Sequence, residues 1–452
     1  MGKFDKRKPR PIPIPTAKLL TITVFDKRTD DKVANARVTI DNFDNDYFGL
    51  TNELGVIAFR VDESLTASHV WIEAEGYHPF NKHVDLVGED VRLFLQIESL
   101  PKISPIFIDG KQFRTNNGLH RFQEVSGFTL FKKYLVGEDI IPFLGYARAI
   151  HSNTIRVFGM LWWADFYPFN YPNYFNELDS FFKFCANQEF YVEYTAITDA
   201  ERCRYDILEK CREFVSLSSQ VAADNFNVLF EIANEPYQNL PNGVSILDLI
   251  SSVNVHATYA LGASDLPKEP YLPVGHYVTD HSPRDSEWWR KGKHIVEIID
   301  NVRVPGIENE PMGASSVPIP RPEGGWKQRD QNPRNFLEYS ACTSLFGSSC
   351  LHNEAGLLAN IPTGIELECA KAFGRGWDYI KPEWLAGAYT ALHLAESPLK
   401  NNPGISKCYF KIINDHAIGV MLHPTSDWRI EPQNGWTVDE VLENCVIHLH
   451  RS

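Results

Sequence analysis

Between residues 17 and 100 the hydrophobic positions fall in short β-branched or alternating runs: Leu19–Phe25, Ala36–Ile40, Val56–Val61, Val70–Ala74 and Val91–Ile97. Alternation with period two marks a strand with one buried face. Turn-forming clusters such as Lys27–Lys32 and Asn52–Gly55 separate the runs. The segment therefore reads as all-β, about seven short strands in ~80 residues, the signature of a small sandwich.

From about residue 101 the rhythm changes. Strand-like runs at Phe122–Phe131, Asn153–Leu161, Phe190–Ile197 and Asn227–Pro236 alternate with helical stretches at Ile140–Ile150, Tyr174–Asn187, Tyr205–Ala223 and Ser245–Val255. Further strands are expected at Ala257–Ala263, Leu272–Thr279, Val304–Glu310 and Ser349–Asn353, with helices at Ser286–Ile299, Asn335–Leu345 and Pro382–Ala395. About eight β–α units in ~290 residues predict an α/β fold, a (β/α)8 TIM barrel. After 400 the pattern returns to β at Cys408–Ile413, Ala417–Leu422 and Cys445–Leu449. The expected organisation is an extended Pro-rich arm at 1–16, a β-sandwich at 17–100, a barrel at 101–400 and a small C-terminal β appendage at 401–452. In the arm Pro9, Pro11, Pro13 and Pro15 alternate, which favours an extended tether or docking strand.

Composition narrows the classes. With 43% hydrophobic and 23% charged residues the chain is an ordinary globular one. Its formal charge of −14 disfavours nucleic acid as the main partner. No run approaches ~18 uncharged apolar residues, so no membrane span is expected. The basic start has no apolar stretch before its prolines, so no secretory signal is read there. The expected location is the cytoplasm, a virion or surface assembly, or outside the cell by another route. The 8 cysteines form no C-x-x-C pair and read as reduced, buried thiols. The aromatic fraction of 12% includes Trp162–Trp163 and Trp288–Trp289, either core or stacking platforms. In the first pair a sugar platform competes with a core wedge. The second pair lies in a helical stretch and reads as packing.

Candidate chemistry is sought where barrel strands end, because the C-terminal face carries the active sites of this fold. In "NVLFEIANEPYQN" Pro236 cannot continue a ladder. The strand must end before it, with Asn234 and Glu235 at the rim and Glu231 deeper on the same side. In "NVRVPGIENEPMGAS" the run ends at Glu310–Pro311. Glu308 and Glu310 are two apart and would share a face; Glu310 is the exit residue and Glu308 the reserve. In "HSNTIRVFGMLWW" Arg156 lies inside a short apolar strand, where a buried charge needs a partner. A barrel-facing Arg would hold a neighbouring carboxylate ionised. Two carboxylates on separate strands are what glycoside hydrolysis requires.

Two resemblances follow from these residues. "VANARVTID…LTNELGVIAFRV…IEAEGY", with Thr51, Gly55, Ala74, Gly76 and Tyr77, resembles the carboxypeptidase-regulatory-like and bacterial Ig-like modules. It implies a spacer or adhesion role. Asn234–Glu235–Pro236, Glu310 and Arg156, in that strand order over roughly residues 115–395, resemble clan A of the retaining (β/α)8 glycoside hydrolases. That resemblance implies Glu235 as acid/base at strand four, Glu310 as nucleophile at strand seven, and Arg156 on strand two against the nucleophile. It further implies a strand-six aromatic or His as support. "GHYVTDHSPR" offers His276, Tyr277, Asp280 and His281, of which Tyr277 and His281 are preferred. Strand eight in many members ends in Trp, whereas "SCLHNEAG" offers His352, Asn353 and Glu354.

The expected activity is retaining cleavage of an oligo- or polysaccharide, with substrate contacts from Arg156, Asn234, Trp162, Trp163, Tyr277, His281, His352 and Glu354. No cofactor and no metal is expected: His448 and His450 have metal-pair spacing, but the sequence shows no third ligand beside them. The rival expectation is a non-catalytic carbohydrate-binding or structural barrel of a virion or surface assembly, with the arm engaging an assembly partner. Phosphate loops, a His-x-His first strand and Gly-x-Ser-x-Gly elbows are absent from the sequence.

Overall fold

The computed structural model describes residues 17–27, 31–41, 47–74, 77, 80–88, 90–97, 103–262, 275–281, 299, 303–312, 332–352, 354–385, 398–400, 408–422, 430–433 and 435–451. The arm at 1–16, Trp288–Trp289, Asn353 and all but Ile299 of the expected helix Ser286–Ile299 lie outside the described residues. The chain divides into two compact units, Met1–Lys102 and Ile103–Ser452.

The first unit holds seven strands among the described residues. Ala17–Asp26 lies between Val56–Asp62 and Asp90–Ile97, antiparallel to the former and parallel to the latter. A second sheet runs in the order Tyr47–Leu50, Arg37–Ile40, Ala67–Glu73, Phe80–Asp85. The inward residues of the two sheets, among them Leu20, Ile22, Val24, Val38, Ile40, Val70 and Ile72, form one core. Thr51 earns its place in the turn by accepting from Ala36 N at 2.9 Å and donating to Val33 O at 2.8 Å.

The second unit is a TIM barrel. Its eight parallel strands are, in chain order, Gln123–Ser126, Thr154–Phe158, Tyr191–Ile197, Val228–Ala233, Tyr259–Ala260, Val278–Asp280, Gly306–Met312 and Ser348–Leu351. Each is laddered to its sequence neighbours except the fifth to the sixth, and the eighth pairs with the first. Between the fifth and sixth the bonding thins to Tyr259 O, which accepts from His276 N at 2.7 Å and Tyr277 N at 3.4 Å. The second, third and fourth strands are buried on both faces, as parallel strands under a helix layer must be. The helix Tyr174–Asn187 shows how that layer forms. Its buried residues Tyr174, Leu178, Phe181, Phe182 and Cys185 recur at helical spacing and seal one face against the strands.

Several expectations are corrected. The run Phe122–Phe131 is a strand only to Ser126; Leu130 N turns back onto Gly127 O at 2.9 Å and a helix, Leu130–Leu135, begins. The expected helix Ser245–Val255 shrinks to Leu247–Ile250; beyond it Ser252 N and Val253 N reach back only three residues, to Leu249 O at 2.9 Å and Ile250 O at 3.1 Å, so the chain goes on as turns. Helix Gly364–Asp378 carries three glycines, Gly364, Gly374 and Gly376, that masked it in the sequence. A Cβ on Gly376 would lie 2.1 Å from Leu337 O, so glycine lets this helix close onto Pro333–Phe346. The described part of Pro382–Ala395 is a 3-10 turn, Pro382–Leu385.

The C-terminal sheet has the order Cys408–Ile413, His416–Met421, Val446–Arg451, Trp436–Leu442, all antiparallel, with Trp436–Leu442 unforeseen. Ile413, Ile418, Val420 and Val446 join the barrel core. Phe410, Met421, Trp436 and Leu449 build a separate small core.

Candidate active site

The fourth strand stops at Ala233, and Pro236 opens a short helix, Pro236–Asn239. Between them Glu235 is forced into the left-handed region at φ 40°, ψ 67°. A non-glycine residue there is strained. Asn239 holds the corner by donating from Nδ2 to Asn234 O at 2.8 Å. The Glu235 side chain stays 21% exposed at the strand exit.

Arg156, fully buried on the second strand, aims at the same place. Its Nη2 donates to Glu231 Oε2 at 2.9 Å and to Asn234 Oδ1 at 2.9 Å, and lies 3.4 Å from His281 Nε2. Its Nε stands 3.3 Å from Glu193 Oε2, and the guanidinium lies 4.9 Å from the Phe158 ring centroid. On the other edge of its ring, His281 Nδ1 stands 3.7 Å from Glu235 Oε1. Asn234 Nδ2 donates to Glu235 Oε2 at 3.4 Å. Arg156, Asn234, Glu235 and His281 thus form one contiguous group.

Below it the barrel interior is polar. Glu231 Oε1 accepts from Thr279 Oγ1 at 2.8 Å and Asn309 Nδ2 at 3.5 Å, while Oε2 also accepts from Thr195 Oγ1 at 2.5 Å. Glu193 Oε1 accepts from Tyr277 Oη at 3.2 Å. Burial raises the Glu193 carboxyl to about 7, with the Glu231 charge adding and Arg156 opposing. Burial also pushes the Glu124 carboxyl well above the usual range, reinforced by the Glu193 charge. One buried guanidinium therefore stands among three buried glutamates, and the deeper two hold protons more tightly than ordinary carboxyls.

Most of the other sequence candidates have a place among the described residues. Tyr277 is buried on Glu193, a layer deeper than Glu235. His276 lies aside, its Nδ1 accepting from Tyr259 N at 3.3 Å. Asp280 and Glu308 are register partners on adjacent strands, both fully buried, and their charges raise the pKa of Tyr339 on helix Pro333–Phe346 after its own burial does. They face the helix layer, while Thr279 and Asn309 face the barrel. The seventh strand's register shifts between Glu308 and Met312. The backbone of Glu310 lies in that strand and Glu354 opens the helix Glu354–Leu357; both side chains lie outside the described residues. His352 is buried 5.2 Å from the Phe128 ring, itself 5.8 Å from the Arg156 guanidinium.

Trp162 and Trp163 occupy a 3-10 turn, Trp162–Ala164, past the second strand, 39% and 40% exposed. Arg202 covers the Trp162 ring at 4.3 Å. Trp162 donates to Asp199, whose carboxyl is raised by burial, lowered by Arg202 and Trp162, and raised by the charge of Glu235. Asp199 N also donates to Asn239 Oδ1 at 2.9 Å, which ties the Trp162 turn to the strand-four exit. Sequence reading missed Asp199, Glu124 and Glu193. The signal for the last two was present: each is a charge within an apolar strand, the feature that marked Arg156.

No family model matches the chain, and no curated protein matches it by sequence. Among solved structures it is similar to a glycoside hydrolase family 5 protein from Bacteroides vulgatus ATCC 8482, at 11% identity and TM-score 0.53, over 77% of this chain and 93% of that one. A second protein from that organism, described as "a putative glycoside hydrolase", aligns over 96% of this chain and 99% of its own at 8% identity and TM-score 0.53. At such identities the likeness is one of fold, a TIM barrel shared with proteins so described.

Proposed function

We propose that the barrel hydrolyses glycosidic bonds of an oligo- or polysaccharide with retention of configuration. Glu310 attacks the anomeric carbon while the Glu235 carboxyl protonates the departing oxygen; Glu235 then takes a proton from the water that releases the sugar. The carrying observation is the junction of Asn234 and Glu235 with Arg156, Nη2 to Oδ1 2.9 Å, at the end of the fourth strand, with Glu310 on the seventh. Arg156, Asn234 and His281 orient the reacting groups, and Tyr277 supports them from below through Glu193. Trp162 and Trp163 offer sugar-stacking faces, and His352 and Glu354 line the strand-eight side. The fold shared with proteins described as glycoside hydrolases agrees with this reading. Residues 17–100 serve as an Ig-like spacer, the arm at 1–16 as a docking tether, and 401–452 as an appendage to the barrel.

The test is turnover of a broad glycan panel by the full chain, with the anomer of the first product followed by proton NMR. Retention is expected, with loss of turnover in Glu235→Gln and in Glu310→Gln and activity kept in Glu308→Gln. Inversion would remove the covalent step. Glycan binding without wild-type turnover would replace the enzyme with a binding barrel.

A further inference from the structure

The spacing of His448 and His450 lacks a third ligand in the sequence, and the fold supplies two. His416–Met421, Trp436–Leu442 and Val446–Arg451 lie side by side, and a register shift between Val438 and Glu440 brackets Asp439. His416, Asp439 and His448 each present a donor atom, all within 4.8 Å of one another. The His416 and His448 rings stack at 5.2 Å with 12° between planes.

Two details distinguish this group from a surface ion pair. His448 Nδ1 stands 3.4 Å from Asp439 Oδ2. Two donors, each about 2.0–2.1 Å from a tetrahedral zinc ion, are themselves about 3.4 Å apart. The second is that the His448 side chain is only 12% exposed. Its ring also stacks on Trp384, at 4.5 Å and 11°.

We propose that His416, Asp439 and His448 bind a divalent transition-metal ion of the zinc class, and that His450 orients the carboxylate. His450 Nδ1 lies 2.5 Å from Asp439 Oδ1, the outer contact that ligating carboxylates make. Imidazole and carboxylate donors suit zinc, and three protein ligands leave a position for water. The ion joins three strands of the C-terminal sheet, so its role is to hold that sheet together; the barrel chemistry does not use it.

The test uses the full chain stripped with chelator. Zn2+ is titrated by calorimetry, and Co2+ by the visible absorption that tetrahedral coordination gives it. One ion per chain is expected, with a rise in melting temperature. His448→Ala and Asp439→Asn should each weaken binding at least tenfold and abolish the Co2+ band; His450→Gln should weaken it about tenfold. His416→Gln, at an exposed position, repeats the test where loss of folding does not intrude. His69 and His83, with rings 4.9 Å apart in the first unit, are the competing pair. The proposal falls if no saturable binding occurs, if binding survives both His448→Ala and His416→Gln, or if His83→Ala removes it.

Discussion

Arg156 and Glu231, on the second and fourth barrel strands, meet through an Nη2–Oε2 contact of 2.9 Å with both side chains fully buried. A guanidinium suits this position because its fork also reaches Asn234 and Glu193. Removing it leaves buried carboxylates without their cation. Arg156→Ala is expected to cost about 3–5 kcal/mol in urea unfolding. Arg156→Lys should fold better than Arg156→Ala yet lose activity, since one ammonium cannot meet all three partners. If Arg156→Ala unfolds at the wild-type midpoint, the pair contributes nothing to stability.

Glu193 makes stability depend on pH. Its folded pKa, about 7, exceeds the ordinary 4.5 because burial outweighs Arg156. Between these values the unfolded chain releases a proton that the folded chain retains, so the stability due to this group falls as pH rises. It is fully present below about 4.5 and gone above about 7. The groups facing Glu193 are Glu124, Glu231, Arg156, Tyr277 and Asn309. Melting temperatures of wild type and Glu193→Gln, measured from pH 4.5 to 7.5, should diverge in favour of the variant as pH rises. Parallel curves would show that Glu193 does not titrate there.

Gly262 follows the fifth strand at φ +108°, and a Cβ built on it lies 1.8 Å from Ala233 O. That carbonyl immediately precedes Asn234 and Glu235. Gly262→Ala therefore displaces the strand-four exit as well as straining its own backbone. A destabilisation on the order of 2–4 kcal/mol is expected. Turnover should fall in the fraction that remains folded. Wild-type stability and turnover in Gly262→Ala would show that the exit tolerates the shift.

The strand–helix alternation was legible because each core strand is a compact apolar run and each long helix a one-sided pattern; helix Tyr174–Asn187 matches its expected bounds. The rim at Asn234–Glu235 was legible because proline fixes where a ladder must stop. The interior was less so. Period two places Glu124 and Glu193 in strands but does not say that both face one guanidinium. The same limit hid the outward turn of Glu308, since period two does not say which parity faces in, and Asn309 takes the inward position beside Glu231. His416 and Asp439 reach His448 only through long-range pairing across three strands, which local spacing does not encode.

The backbone of Glu235 separates stability from function. At φ 40°, ψ 67° any side chain with a Cβ pays a steric cost of about 1–2 kcal/mol, which glycine escapes. The contacts given up are weak: 3.7 Å to His281 Nδ1 and 3.4 Å from Asn234 Nδ2, on a side chain still 21% exposed. Glu235→Gly is therefore expected to be more stable than wild type by about 1 kcal/mol. Glu235→Gln, which keeps the Cβ and the shape, should stay near wild type. Both should lack glycosidase turnover, since neither offers a carboxyl to protonate the leaving oxygen. Guanidinium midpoints for the three proteins, with turnover measured beside them, check the pair of claims. If glycine destabilises, the left-handed corner is held by contacts worth more than its strain; if either variant turns over normally, Glu235 is not the acid.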